Sequence, residues 1–180
     1  LEQVHGIDEQ GDGYMHQQVT KLHAFLYSDA DFILHVDSDC IFTRQCSVDE
    51  LIEGGKAIVL REEGVHSPWS IIAARQLGWQ DNGEYMRRMP ILYPRWAYTG
   101  FKAWMEAHVG MSLESFIMAQ PNREFSEFNT IGQWLYKFHR EEIVWRHPSE
   151  SEPLCKQFWS WEGFHAHEEE VKSLLSNPSV

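Results

Sequence analysis

The residues best placed to do chemistry lie in the stretch "DADFILHVDSDCIF" (29–42), where Asp37 and Asp39 flank Ser38 directly after the apolar run Phe32, Ile33, Leu34, His35, Val36. That run is β-rich and too short for a free-standing helix, so it reads as a strand covered on both faces. Acids at its carboxyl end sit where open α/β sheets bind ligands. Side chains two apart in extended or turning backbone point to one side, and two hard oxygen donors so placed suit Mg²⁺ or Mn²⁺. An ion held by one or two carboxylates completes its shell with water and substrate phosphates. The plainer reading makes both acids turn caps; the buried-type strand in front of them favours the metal.

Composition narrows the field. Lys plus Arg number 15 against 27 Asp plus Glu, a net charge of −12 that argues against an extended phosphate backbone and hence against nucleic acid as a partner. A cation at the acid pair would still let the chain hold a small anionic ligand. With 43% hydrophobic and 13% aromatic residues, the 180 residues have enough apolar material for one domain with its own core. The cysteines, Cys40, Cys46 and Cys155, lack C-x-x-C spacing, which points to reduced thiols and a cytoplasmic setting. No run approaches the roughly 18 apolar residues of a membrane span. The opening "LEQVHGIDEQ" lacks an initiator Met, and the expectation is a chain truncated at its N-terminal side.

The acids need elements to position them. Met15, Val19, Leu22 and Leu26 recur at helical spacing ahead of the strand 32–36. "SVDE" (47–50) has capping-box form and predicts a short helix stopped by Gly54-Gly55, followed by a strand over 57–60. Helices are predicted over 70–79, from Pro94 with Ala97, Phe101, Trp104 and Met105 on one face, after Ser112, and after Ser126 with Phe128, Ile131, Leu135 and Phe138 as the stripe. Strand-like segments at 142–145 and 156–161 precede a closing helix from about His167 to Leu175. This alternation predicts an α/β fold with a mainly parallel sheet flanked by helices.

The strand-DxD unit "FILHVDSD", with the helix "YMHQQVTKL" before it and "FSEFNTIGQWL" well after it, resembles the GT-A glycosyltransferases, especially the small DxD domains of virus-encoded and bacterial sugar transferases. The likeness covers residues 13–163. It implies a Rossmann-like GT-A fold, here without the N-terminal portion that shapes the base pocket. It also implies a nucleotide-sugar donor, usually UDP-linked, whose diphosphate is bridged to the DxD by Mn²⁺ or Mg²⁺, and a glycan or other hydroxyl acceptor. On this chain Asp39 would bind the metal and Asp37 the metal or the donor ribose.

Further roles follow from the same resemblance. Lys21, with Gln17 beside it, would either meet the donor phosphate or hold a catalytic carboxylate, unless both simply face solvent. Glu127, in the first helical turn where the helix dipole welcomes any carboxylate, would serve as base in an inverting reaction or sit beneath the anomeric carbon in a retaining one. Asn129 would hydrogen-bond sugar hydroxyls. Retaining relatives take a third metal ligand, a His, from the strand after that helix; "CKQFWSW" has none, which leaves His165 or His147 as the candidate. Trp159 and Trp161 would form an apolar wall for a sugar face. "HVDSDCI" also resembles the haloacid-dehalogenase nucleophile motif, implying a Mg²⁺-dependent phosphohydrolase, but no acid pair follows Asp49 to complete that site. The remaining alternative is a non-catalytic sugar- or nucleotide-binding module.

Overall fold

The computed structural model describes residues 13–158 and 164–176. Its first helix, α1 (Gly13–Leu22), buries Met15 and Leu22 and packs Val19 on the core. The stripe ends there, because Leu26 falls in a following 3₁₀ turn, Ala24–Leu26, and is 65% exposed. Strand β1 (Phe32–His35) follows, and the DxD turn leads into the short strand β2 (Cys40–Phe42).

The capping box forms, with the Ser47 N–H donating to Glu50 Oε2 at 3.0 Å, but it closes only a 3₁₀ turn, Val48–Glu50. Gly54-Gly55 does not end a helix. Both glycines take positive φ, 57° and 78°, and join β3 (Ile52–Glu53) to β4 (Lys56–Leu60) as a two-residue hairpin, a turn that needs left-handed backbone at both positions. Helix α2 (Pro68–Leu77) starts before its expected position, because Ser67 Oγ accepts from the Ser70 N–H at 3.0 Å and Pro68 opens the first turn.

Strand β5 (Ile91–Pro94), not singled out in the sequence, changes the architecture. All four of its residues are buried, so it is the strand covered on both faces that β1 was expected to be. In β1, Leu34 is 42% exposed. β5 pairs antiparallel with β1, with Ile33 opposite Tyr93, and runs close beside β4. Helix α3 (Arg95–Val109) follows it directly, with Pro94 at the N-cap; α4 (Leu113–Met118), α5 (Glu127–Phe138), β6 (Val144–Arg146), β7 (Cys155–Gln157) and α6 (Phe164–Ser176) complete the order.

The fold is mixed α/β with small sheets. β2 pairs antiparallel with β7, β3 with β4, and only β4 and β6 run parallel among the described strand pairs. The expected mainly parallel sheet is therefore corrected: of the described strand pairs, β1–β5, β2–β7 and β3–β4 are antiparallel and β4–β6 is parallel. Helix α5 is the hub, touching α1, α2 and α3. Every residue from Glu127 to Leu135 is buried, so the expected apolar stripe becomes a segment enclosed on all sides, while Phe138, expected at the end of that stripe, is 49% exposed in the last turn. Gln133 and Thr130 are satisfied inside, Gln133 donating to Ser70 O at 2.8 Å and accepting from Trp79 Nε1 at 3.1 Å, and Thr130 Oγ1 donating to Ser126 O at 2.6 Å, while the buried Trp134 Nε1 has no partner among the described residues.

Candidate functional site

One face of α1 carries Tyr14, Gln18 and Lys21, successive turns apart, and all three reach the start of α5. Tyr14 O–H donates to Phe125 O at 2.8 Å, Gln18 Oε1 accepts from the Glu127 N–H at 3.0 Å, and Lys21 Nζ donates to Glu127 Oε1 at 2.9 Å. Ser126 occupies the N-cap position, yet its side chain accepts from Asn129 Nδ2 at 3.1 Å rather than from a helix N–H. Gln18 satisfies one of the helix's free donors in its place, so a neighbouring helix caps α5.

Lys21 also ion-pairs with Asp37 Oδ1 at 2.7 Å, forming a carboxylate–ammonium–carboxylate relay from the DxD to α5. Glu127 is 2% exposed. Burial pushes its carboxyl above the usual range, and Lys21 offsets part of that. Burial works to lower the Lys21 ammonium, but Glu127 and Asp37 outweigh it and hold it above its ordinary value. The ammonium also lies 5.0 Å from the centre of the Phe128 ring. Of the two roles expected for Lys21, the geometry shows it holding carboxylates.

The acid pair is closed from the other side by β7. Gln157 stands opposite Cys40 in the β2–β7 register, and its Nε2 donates to Asp37 Oδ2 at 3.3 Å and Asp39 Oδ1 at 3.1 Å. Both acids thus converge on one point, as the i, i+2 spacing predicts. Cys40 Sγ lies 3.8 Å from Asp39 Oδ1. Burial, then Cys155 and both acids, pushes the Cys40 thiol up to about 12, so it stays protonated. Behind the pair, His35 Nε2 is 2.7 Å from Tyr98 OH and its ring meets Phe128 edge-on. Burial first, and the Lys21 charge second, hold His35 down at about 4.

Not every expected residue joins this cluster. Gln17 is exposed; its neighbour Gln18, turned about 100° round the helix, makes the contact instead. Asn129 is fully buried, its Oδ1 accepting from the Tyr85 N–H at 2.9 Å and its Nδ2 bound to Ser126, so it fastens the 84–86 segment to α5 rather than facing a ligand. His147 caps the 3₁₀ turn Pro148–Glu150 through the Ser149 N–H. Trp159 and Trp161 lie outside the described residues, as does the side chain of His165. Gln157, Gln18 and Tyr14 were not singled out. The spacing of Tyr14, Gln18 and Lys21 was a readable signal, whereas Gln157 needed the β2–β7 register.

Among the described residues, no group of three or more His, Cys, Asp and Glu side chains is arranged to hold a metal. The chemistry present still fits a hard cation at two points. Asp37 Oδ2 and Asp39 Oδ1 face one atom, and that atom belongs to an amide whose rotation would present Gln157 Oε1 as a third oxygen. Asp39 is the freer acid, since Asp37 already neutralises Lys21.

The chain belongs to DUF6492, a family of unknown function whose model matches residues 5–174. Neither the curated proteins nor the solved structures contain a significant match. No helix among the described residues is long and apolar enough to cross a membrane.

Proposed function

We propose that this chain is a GT-A-like, metal-dependent glycosyltransferase domain that moves a sugar from a nucleoside diphosphate, of UDP type, to a hydroxyl acceptor. The observation that carries the reading is the convergence of Asp37 and Asp39 on one point, wired through Lys21 to the buried Glu127. The antiparallel strand β5 beside β1 and β4 is compatible with a mixed GT-A sheet.

Asp39, with Asp37 and the Gln157 amide oxygen, would hold Mn²⁺ or Mg²⁺, which when bound supplies positive charge to a leaving diphosphate. The protein's own parts do the remaining work. Lys21 holds Asp37 and Glu127 in fixed positions and balances their charge away from water. Glu127, with its carboxyl held above the usual range, is the group able to accept or share a proton close to the acid pair. Without the metal, Gln157 holds both DxD carboxylates from the opposite strand through its amide N–H.

Calorimetric titration of UDP with Mn²⁺ and again with EDTA, into wild type and Asp39→Asn, tests the reading. Binding that requires both the metal and Asp39 is the expected result. Equal affinity in Asp39→Asn, or no binding by the folded wild type, removes the acid pair as a donor site.

A further inference from the structure

In a chain of net charge −12, a cleft of about 670 Å³ beside the acid pair is lined by four cations, Arg44, Arg87, Arg88 and Lys156, against the single carboxylate of Glu152. The four come from three separate segments: the loop after β2, the loop before β5, and β7 itself. They are therefore brought together by the fold and are not a run of charge in the sequence. Gln157, whose amide faces both DxD acids, also lines the cleft, so the cleft and the acid pair share that residue although neither acid lines the cleft itself.

The cations are not equally occupied. Arg44 pairs with Glu50 at 2.6 Å, Arg87 with Glu62, and Lys156 with Glu170. Arg88 is half-buried, and its guanidinium donates to the carbonyl of Ser151 at 2.8 Å; among the described residues it has no carboxylate partner. Arg44, Arg87 and Lys156 are offset by their own carboxylates, which leaves Arg88 as the cation an entering anion can neutralise, and a guanidinium matches the planar edge of a phosphate or carboxylate.

The geometry points to an oxyanion-binding site in this cleft, with Arg88 as its principal donor, taking a phosphoryl or carboxylate group of a ligand that extends to Asp37 and Asp39. The cleft's charge stands independently of the proposed transfer reaction; the site's place in that reaction rests on the transferase reading. There the oxyanion is either the donor's own diphosphate or an anionic substituent on the acceptor.

Inorganic pyrophosphate titrated calorimetrically at low salt in EDTA, into wild type, Arg88→Gln, Arg88→Lys and Asp39→Asn, decides the matter. The expected result is saturable metal-free binding to wild type, weakened about tenfold in Arg88→Gln, less in Arg88→Lys, and not weakened in Asp39→Asn. No metal-free binding by folded wild type, or equal affinity in folded Arg88→Gln, overturns the site. UDP with Mn²⁺, titrated into wild type and Arg88→Gln, separates the sources: a matching loss of UDP affinity assigns the oxyanion to the donor, and unchanged UDP affinity assigns it to the acceptor. If UDP binds neither protein, the transferase reading fails while the pyrophosphate result still judges the cleft.

Discussion

Two charged regions meet at Gln157, and they are built in opposite ways. On one side, Lys21, Asp37 and Glu127 form a closed relay in which one ammonium serves two carboxylates and little water enters; Lys21 is 14% exposed and Glu127 2%. On the other, Arg44, Arg87, Arg88 and Lys156 border an open cleft whose positive charge is only partly answered. On the closed side Lys21 already grips Asp37 and Glu127 before any ligand arrives, so these groups are held in position. On the open side three of the four cations have carboxylate partners and Arg88 has none among the described residues, so a ligand can supply the missing counter-charge there. Charged residues alone do not mark a binding site; an unmatched charge that a ligand can reach does.

The contrast breaks most severely at its closed end. Lys21→Met leaves Glu127 buried without its cation and is expected to cost about 3–5 kcal/mol, read by urea unfolding. Adding Glu127→Gln to that variant should recover part of the loss, because a neutral amide needs no counter-ion. If Lys21→Met unfolds like wild type, the relay is not a structural unit.

Acid probes the same region through His35. Its imidazole, facing Tyr98, Lys21, Asp37 and Phe128, is held at about 4 against an ordinary 6.5, so between these values the unfolded chain binds a proton that the folded chain refuses. The stabilisation is complete above pH 6.5 and is lost as pH falls toward 4, amounting to about 3 kcal/mol. Urea unfolding in metal-free buffer across that window should show a steeper acid loss for wild type than for His35→Gln. Parallel profiles would show that His35 does not drive it.

The finest distinction lies between holding and reacting. If Glu127 takes part in transfer, Glu127→Gln should lower turnover about 100-fold while UDP affinity changes little. Wild-type turnover in that variant would confine Glu127 to its place in the relay.

Legibility in the sequence followed the range of the interaction. Helix α1 was readable because Met15, Val19 and Leu22 repeat within ten residues, and α5 because Phe128, Ile131 and Leu135 do the same. Strand β5 was hidden: "ILYP" follows Pro90, ends on Pro94 and is only four residues long, and proline argues against a central strand. Pro94 is tolerated because it sits at the strand's end and opens α3. With that strand hidden, the β1–β5 antiparallel pair was hidden too, as were the β2–β7 and β3–β4 pairings, which depend on register between short segments. The cationic cleft was equally hidden, since its residues are spread from Arg44 to Lys156 in a chain of net charge −12.

The sequence by itself determined the local units: the strand leading into Asp37-Ser38-Asp39 and the helices whose apolar residues repeat at helical spacing. These depend on side-chain period and backbone preference between near neighbours. Only the tertiary structure decided that Gln18 rather than Gln17 caps α5, that Lys21 joins Asp37 to a Glu127 more than a hundred residues away, and that Gln157 spans the acid pair. Each of those contacts is set by how α1, α5 and β7 pack around a common core, and spacing along the chain carries no record of that packing.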